Sequence, residues 1–218
     1  MNYMSRMKQV YDYLLEAIVS NKIPPGTPIV ETEISNALNM SRTPIREALK
    51  ELEAEGLVNR YPSIGTVVSH ITPHDVEEIF DLRILLELSA LQLSWDKVTV
   101  KEIEEVEKLF IDLDVSSPND AYHEADRRLH ALIVNNAGNK RLKNFLNLLN
   151  SQIERFRRVA AFSSDRPEKS KKEHLEILRY LKERNLNACE ESLRQHLISV
   201  KNSTYEVAKL FAMQSENN

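Results

Sequence analysis

The stretch SRTPIREALKELEAEGLV, residues 41–58, decides the fold of the N-terminal part of this chain. Ser41 and Thr43 are good helix N-caps, and Pro44 is tolerated in the first turn of a helix. Gly56 follows the helix, at the place where a left-handed residue commonly ends it. Between these signals, apolar residues recur with the period of a helix. The buried stripe of this predicted helix consists of Ile45, Ala48, Leu49 and Leu52.

Two further helices are predicted before this stretch, and two strands after it. Residues 6–20 and 31–39 have helical apolar spacing, with a Pro/Gly-rich break between them. Residues 57–61 and 66–69 predict a hairpin around a Pro/Gly turn. Helix, helix, tight turn, helix and hairpin is the order of a winged helix-turn-helix, which we assign to residues 1–70.

The exposed face of the helix that begins near Ser41 has the side chains of a DNA-binding surface. An arginine in the major groove can contact guanine through two hydrogen bonds, and hydroxyl groups can hold phosphates. Gly65 would let the hairpin backbone approach a duplex closely. The polar residues on this face are Arg42, Thr43, Arg46 and Lys50. On spacing alone, a small helical module with a solvated basic face remains an equal alternative.

The charge balance gives no support for nucleic-acid binding. The formal net charge of the chain is −4, and residues 1–70 contain seven Lys/Arg and eight Asp/Glu, a net of −1. A few well-placed basic groups must therefore bind the DNA, and we expect dimerisation to double their number.

The composition favours a mainly α protein of the cytoplasm. Hydrophobic residues make up 42% of the chain and only four residues are glycine, which suits packed helices. No apolar run approaches the roughly 20 residues of a membrane span, and the N-terminus does not have the pattern of a signal peptide. Cys189 is the only cysteine, so no intramolecular disulfide is possible. We expect no membrane partner.

The same stretch, followed by GTVV and preceded by PPGTPIVETEIS, resembles the DNA-binding domain of the GntR family of bacterial regulators. The resemblance covers roughly residues 5–70. It implies that Arg42 and Arg46 contact bases. It also implies contacts to the DNA backbone or groove from Ser41, Thr43, Gly65 and Thr66. The chain departs from the family at two positions that are often basic in its members, Thr32 and Ile64.

The rest of the chain, residues 71–218, is predicted to be an all-α antiparallel bundle, because its helices are separated by short breaks. The predicted helices span 73–95, 99–114, 118–136, 139–162, 167–184 and 186–212.

Polar side chains lie on the apolar sides of three of these helices. Asp126 and His130 are one turn apart on one helix, while His174 and His196 lie along or beside the apolar stripes of two others. Burying four such groups is costly unless something pairs them, and a metal ion would do so. Three imidazoles and one carboxylate suit Zn²⁺ first, and also Ni²⁺, Mn²⁺ or Fe²⁺. Hydrogen-bonded core histidines remain the alternative, and spacing does not exclude His123 as a ligand.

Three strings in this region resemble the FCD-type effector domain of the FadR-like branch of the GntR family. The strings are EADRRLHALIVNNAGN at 124–139, KKEHLEIL at 171–178 and LRQHLISV at 193–200. The resemblance implies a metal held by Asp126, His130, His174 and His196. It also implies a small carboxylate effector, for which Arg83 would be a second anchor. An ion pair of Arg83 with Glu87 or Asp126 is the alternative.

Together these features predict a homodimeric transcriptional regulator, not an enzyme, that binds a pseudo-palindromic DNA operator and responds to a small organic acid. The effector would change operator affinity through the link at about residues 69–73. One alternative is a metal-dependent hydrolase with an accessory helix-turn-helix, although no HExxH or GxSxG motif is present. Another is a constitutive DNA-binding protein with a purely structural metal.

Overall fold

The computed structural model describes residues 3–114, 116–160 and 166–215. Within these residues the chain forms nine α-helices and a small sheet, which confirms the prediction of a mainly α protein with a winged helix-turn-helix ahead of a helical domain. The elements are α1 (Tyr3–Val19), β1 (Pro28–Ile29), α2 (Glu31–Leu38), α3 (Arg42–Ala54), β2 (Val58–Tyr61), β3 (Gly65–Val68), α4 (Pro73–Ser94), α5 (Val100–Ile111), α6 (Asn119–Asn136), α7 (Lys140–Ala160), α8 (Arg166–Lys182) and α9 (Leu186–Ser215).

The chain divides into two compact units. The first holds the described part of Met1–Ile71 together with Leu148–Arg155, and the second holds the remaining described residues from Thr72 onward. None of the described helices is both long enough and apolar enough to cross a membrane.

The first unit has one apolar core, built from α1, α2, α3 and the sheet. Asn39 takes the left-handed conformation (φ 48°) and makes the tight turn between α2 and α3. Ser41 occupies the N-cap of α3 with extended backbone, although its side chain makes no capping hydrogen bond. The most deeply buried side chains of this core are Val10, Leu14, Ile45, Ala48, Leu49, Leu52, Leu57 and Val58.

The wing is a three-stranded antiparallel sheet in the order β1-β3-β2. The predicted hairpin is β2 and β3, in which Val58 pairs with Val68 and Tyr61 with Gly65. Gly65 has a φ of +88°, which disfavours other residues, and an added Cβ would meet no atom within 4 Å. The strand β1, which pairs Pro28 with Val67, was not predicted because two residues are too short for a strand pattern.

The second unit is helical. Thr72 and Thr99 begin α4 and α5 with capping boxes, in which the threonine side chain and the acid three residues later each accept a backbone N–H. The predicted helix 139–162 is observed to Ala160, and its last two residues lie outside the described residues. The core includes Leu91, Ile103, Phe110, Leu129, Ile133, Ile177, Leu178, Leu193 and Leu197.

Candidate metal centre and nucleic-acid interface

Four side chains from three helices converge inside the second unit. Asp126 and His130 come from α6, His174 from α8 and His196 from α9, and one donor atom of each lies within 4.8 Å of the others. His174 Nε2 lies 3.1 Å from Asp126 Oδ1 and 3.1 Å from His196 Nε2. His130 Nε2 lies 3.7 Å from Asp126 Oδ1. The structure therefore brings together all four residues that the sequence predicted as ligands.

Two carboxylates, one buried and one partly buried, bond to the Nδ1 atoms of two of these imidazoles. Glu87 of α4 bonds to His130 Nδ1, and Glu173 of α8 accepts from His196 Nδ1 at 2.8 Å. Because an ionised carboxylate can only accept, each Nδ1 carries the proton and each Nε2 keeps a lone pair. Both lone pairs are then directed towards the cluster, as in metal sites whose histidines are oriented by carboxylates.

The donor set fits a divalent cation. A tetrahedral site with bonds of about 2.1 Å places its ligand atoms about 3.4 Å apart. Three of the separations in the cluster are 3.1, 3.1 and 3.7 Å, and all of them are within 4.8 Å. His174 Nδ1 has no hydrogen-bond partner in the described part of the chain. A cation between Asp126 Oδ1 and the Nε2 atoms would pair groups that are otherwise buried close to one another.

The electrostatic environment keeps His174, His196 and Asp126 in the forms that coordinate a metal. Burial lowers the pKa of His196 to about 3 and also lowers the pKa of His174, so both imidazoles are neutral at pH 7. Burial raises the pKa of Asp126, but Arg157, whose Nε lies 2.5 Å from Oδ2, and His130 outweigh it. The pKa of Asp126 is held well below its usual range, and the carboxylate stays ionised.

Arg83 is buried behind His130. Its Nε donates to Glu87 Oε1 at 2.6 Å, which is the ion pair that the sequence left open as an alternative. Its Nη2 lies 3.3 Å from His130 Nε2, the nitrogen that a metal ion would take. Arg83 is not among the residues that line the cavity next to the cluster. A direct contact between Arg83 and an effector stays a prediction.

A cavity of about 40 Å³ lies beside the cluster. Asp126 and His174 form part of its wall, and the cavity is smaller than most small-molecule sites. His123 lines the cavity but is not one of the four converging donors. The other lining residues are Phe110, Tyr122, Arg157, Arg166, Pro167, Ser170, Lys171 and Val200. The basic members of this wall were not predicted from the sequence.

The predicted DNA-contacting residues lie on the surface of the first unit, with one exception. Thr66 is only 8% exposed because it lies in the central strand β3, between Arg60 and Ile29. Its side chain therefore offers little surface to a duplex, and a DNA contact from Thr66 stays a prediction. The exposed members are Ser41, Arg42, Thr43, Arg46, Lys50 and Gly65.

Most of the basic side chains on this surface form ion pairs with acidic neighbours. Arg46 Nε lies 2.9 Å from Glu31 Oε2, and Lys50 Nζ lies 2.9 Å from Glu47 Oε1. Arg42 forms no ion pair with any residue that the structure describes. These pairs are exposed, so each is weak and can be exchanged for a phosphate at little cost. Arg60 of β2, a further exposed cation, was not singled out from the sequence.

Two family models match the chain. Residues 6–68 match the model described as bacterial regulatory proteins of the gntR family, and residues 78–199 match the FCD domain. Among curated proteins, the HTH-type transcriptional regulator YdhC of Bacillus subtilis is 31% identical over 193 residues, which cover 86% of each chain.

Solved structures with the same fold include a transcriptional regulator GntR from Rhodococcus sp. RHA1. It has a TM-score of 0.77 at 20% identity, covering 92% of this chain and 97% of that one. The Zn²⁺-bound FCD domain of TM0439 has a TM-score of 0.54 at 22% identity, covering 63% of this chain and 96% of that one.

Proposed function

The chain belongs to the gntR family of bacterial regulatory proteins and carries an FCD domain, and on that premise we propose that a small organic acid bound beside a metal ion controls its affinity for an operator. The family consists of DNA-binding transcriptional regulators. The observation that carries the proposal is the convergence of Asp126, His130, His174 and His196 next to a cavity lined by basic side chains.

The metal ion would be held by these four side chains, with Zn²⁺ the first choice and Ni²⁺, Mn²⁺ or Fe²⁺ as alternatives. A zinc-bound FCD domain among the structural neighbours supports this choice. When bound, the ion supplies a positive charge that attracts a carboxylate. Phe110, which packs against His174 with ring centroids 4.8 Å apart, keeps this side of the site apolar.

The DNA-binding part of the proposal assigns residues 1–70 to the operator and residues 71–218 to the effector. Arg42 and Arg46 would contact base edges, and Ser41, Thr43, Lys50 and Gly65 would contact the DNA backbone. The wing would act through Gly65 rather than the buried side chain of Thr66.

A homodimer is part of the proposal, because two copies double the few basic contacts and match a pseudo-palindromic operator. The helix α4 supports it with exposed apolar side chains: Leu82 is 49% exposed and Leu85 is 68% exposed. Burying such groups against a second copy would stabilise the pair. A regulator of this kind works in the cytoplasm, where bacterial DNA lies.

The test measures operator affinity of the full chain with and without metal. The operator is first selected from a library of random-sequence duplexes, and acetate, lactate, pyruvate and succinate are then added in turn. We expect at least one acid to change the affinity of the Zn²⁺-loaded protein by about 5–150-fold. The same acid should have no effect after chelation, or in His196→Ala.

His74→Ala is the matched control, because the His74 side chain is 75% exposed on α4 and lies outside the cluster. It should respond as the unchanged protein does. An operator affinity that no acid alters in metal-loaded protein would contradict the proposal and favour a constitutive regulator with a structural metal.

A further inference from the structure

One lysine in the wall of the cavity has no acidic partner among the residues that the structure describes. Arg157 is paired with Asp126, and Arg166 is paired through two nitrogens with Glu173, at 3.1 and 2.6 Å. The Lys171 ammonium, in contrast, bonds to the main-chain carbonyl of Leu113 and makes no ion pair with any described residue. A carbonyl oxygen carries no net charge, so none of the described residues compensates the positive charge of Lys171.

The position of Lys171 relates this charge to the metal centre. Lys171 lies three residues before His174 on α8, which places their Cβ atoms on one helix face about 5–6 Å apart. Both side chains line the same cavity. An acid whose first carboxylate is near the metal would therefore extend past Lys171, with its carbon chain against Phe110 and Val200.

We propose that Lys171 determines effector specificity by binding a second anionic group, so that the effector is a short dicarboxylic acid rather than a monocarboxylic acid. The inference rests on the proposed function, since it assigns the chemical class of the acid in that same cavity. A partly buried ammonium with a single neutral acceptor gains a charge-assisted hydrogen bond when a carboxylate arrives. A methyl group at the same place would leave the charge of Lys171 uncompensated.

The experiment compares acids of matched shape on the full chain loaded with Zn²⁺. The pairs are malonate with propionate, succinate with butyrate, and glutarate with valerate, in which a methyl group replaces one carboxylate. We expect one dicarboxylate to bind about tenfold more tightly than its partner, or better, by titration calorimetry. Lys171→Met should abolish this preference while the monoacid binds as before, and Lys171→Arg should retain it.

Lys172→Met is the matched control, because Lys172 is exposed on the same helix and does not line the cavity. Its preference should equal that of the unchanged protein. Circular dichroism checks that each variant is folded. If Lys171→Met does not fold, the preference measured in Lys171→Arg still tests the proposal.

The outcomes separate this inference from the function on which it rests. If monoacids and diacids bind equally, or if the preference survives in Lys171→Met, the role of Lys171 is wrong while an acid-responsive regulator stands. If no acid binds the Zn²⁺-loaded protein or alters its operator affinity, the proposed function itself fails.

Discussion

Glu173 shows how a single residue outside the set of candidate ligands can control the metal site. Its carboxylate accepts a hydrogen bond from His196 Nδ1 and forms an ion pair with Arg166. Burial raises the pKa of Glu173, but these two interactions outweigh burial and lower the pKa to about 2. We predict that Glu173→Gln lowers Zn²⁺ affinity by about 10–100-fold, because a neutral amide replaces the charged carboxylate that makes His196 a more basic ligand. Competition with a coloured chelator measures the change.

Glu176→Gln provides the comparison for this substitution. Glu176 lies on the same helix, is exposed and does not contact the cluster. Its Zn²⁺ affinity should match that of the unchanged protein, and equal affinities in both variants would mean that the charge of Glu173 has no role at the metal site.

Arg42 and Arg46 make a second prediction at the residue scale. Few other basic groups lie on α3, so each substitution to alanine should weaken operator binding by about 1–3 kcal/mol and relax the preference at one base pair. Fluorescence anisotropy on the operator and its single-base variants measures both effects. Arg141→Ala, an exposed arginine of α7 in the other unit, should bind as tightly as the unchanged protein. An equal loss in Arg141→Ala would indicate a general charge effect instead.

At the residue scale, the four donor side chains of the cluster could be predicted from the sequence, but the side chains that surround them could not. Asp126 and His130 are four apart on one helix, and that spacing is visible in the sequence. Glu87 of α4 contacts His130, and Arg157 of α7 contacts Asp126. Periodicity in the sequence shows which side of a helix is buried, but not which other helix packs against that side. For the same reason the uncompensated charge of Lys171 could be recognised only in the folded chain.

At the scale of elements, the start of α4 is set by local chemistry. Thr72 Oγ1 accepts from the Asp75 N–H at 3.1 Å, and Asp75 accepts from the Thr72 N–H at 2.9 Å. Thr72→Ala removes the first bond, and we predict that it lowers the free energy of unfolding of the helical unit by about 1 kcal/mol. Trp95, the only tryptophan, lies at the C-cap of α4 and reports this transition by its fluorescence in urea.

Thr32→Ala is a suitable comparison for the cap, because Thr32 is exposed within α2 and its side chain makes no hydrogen bond to any residue that the structure describes. Thr32→Ala should leave the urea unfolding transition of Trp95 unchanged. If the unfolding curves of Thr72→Ala and Thr32→Ala coincide, the cap contributes nothing to stability. Gly56, with a φ of 73°, made the end of α3 predictable from the sequence. The strand β1 was not predictable, because Pro28–Ile29 becomes a strand only through pairing with β3, almost forty residues later.

At the scale of the whole molecule, the lack of a net positive charge limits how one copy of the protein can bind DNA. The chain has a net charge of −4, and three of the four basic side chains on α3 and β2 are within 4 Å of an acid. One copy with four such cations could release only a few counterions from a duplex. Dimerisation would double that number and align it with two half-sites.

The salt dependence of operator binding tests this argument. If Lys50 and Arg60 of both copies each neutralise one phosphate, the logarithm of the association constant should fall with the logarithm of salt concentration at a slope of about −4. One copy would give about −2. Arg60→Ala should reduce a dimer's slope by about two, because the substitution removes one contact from each half-site. A slope that Arg60→Ala reduces by only one would indicate that a single copy binds the operator.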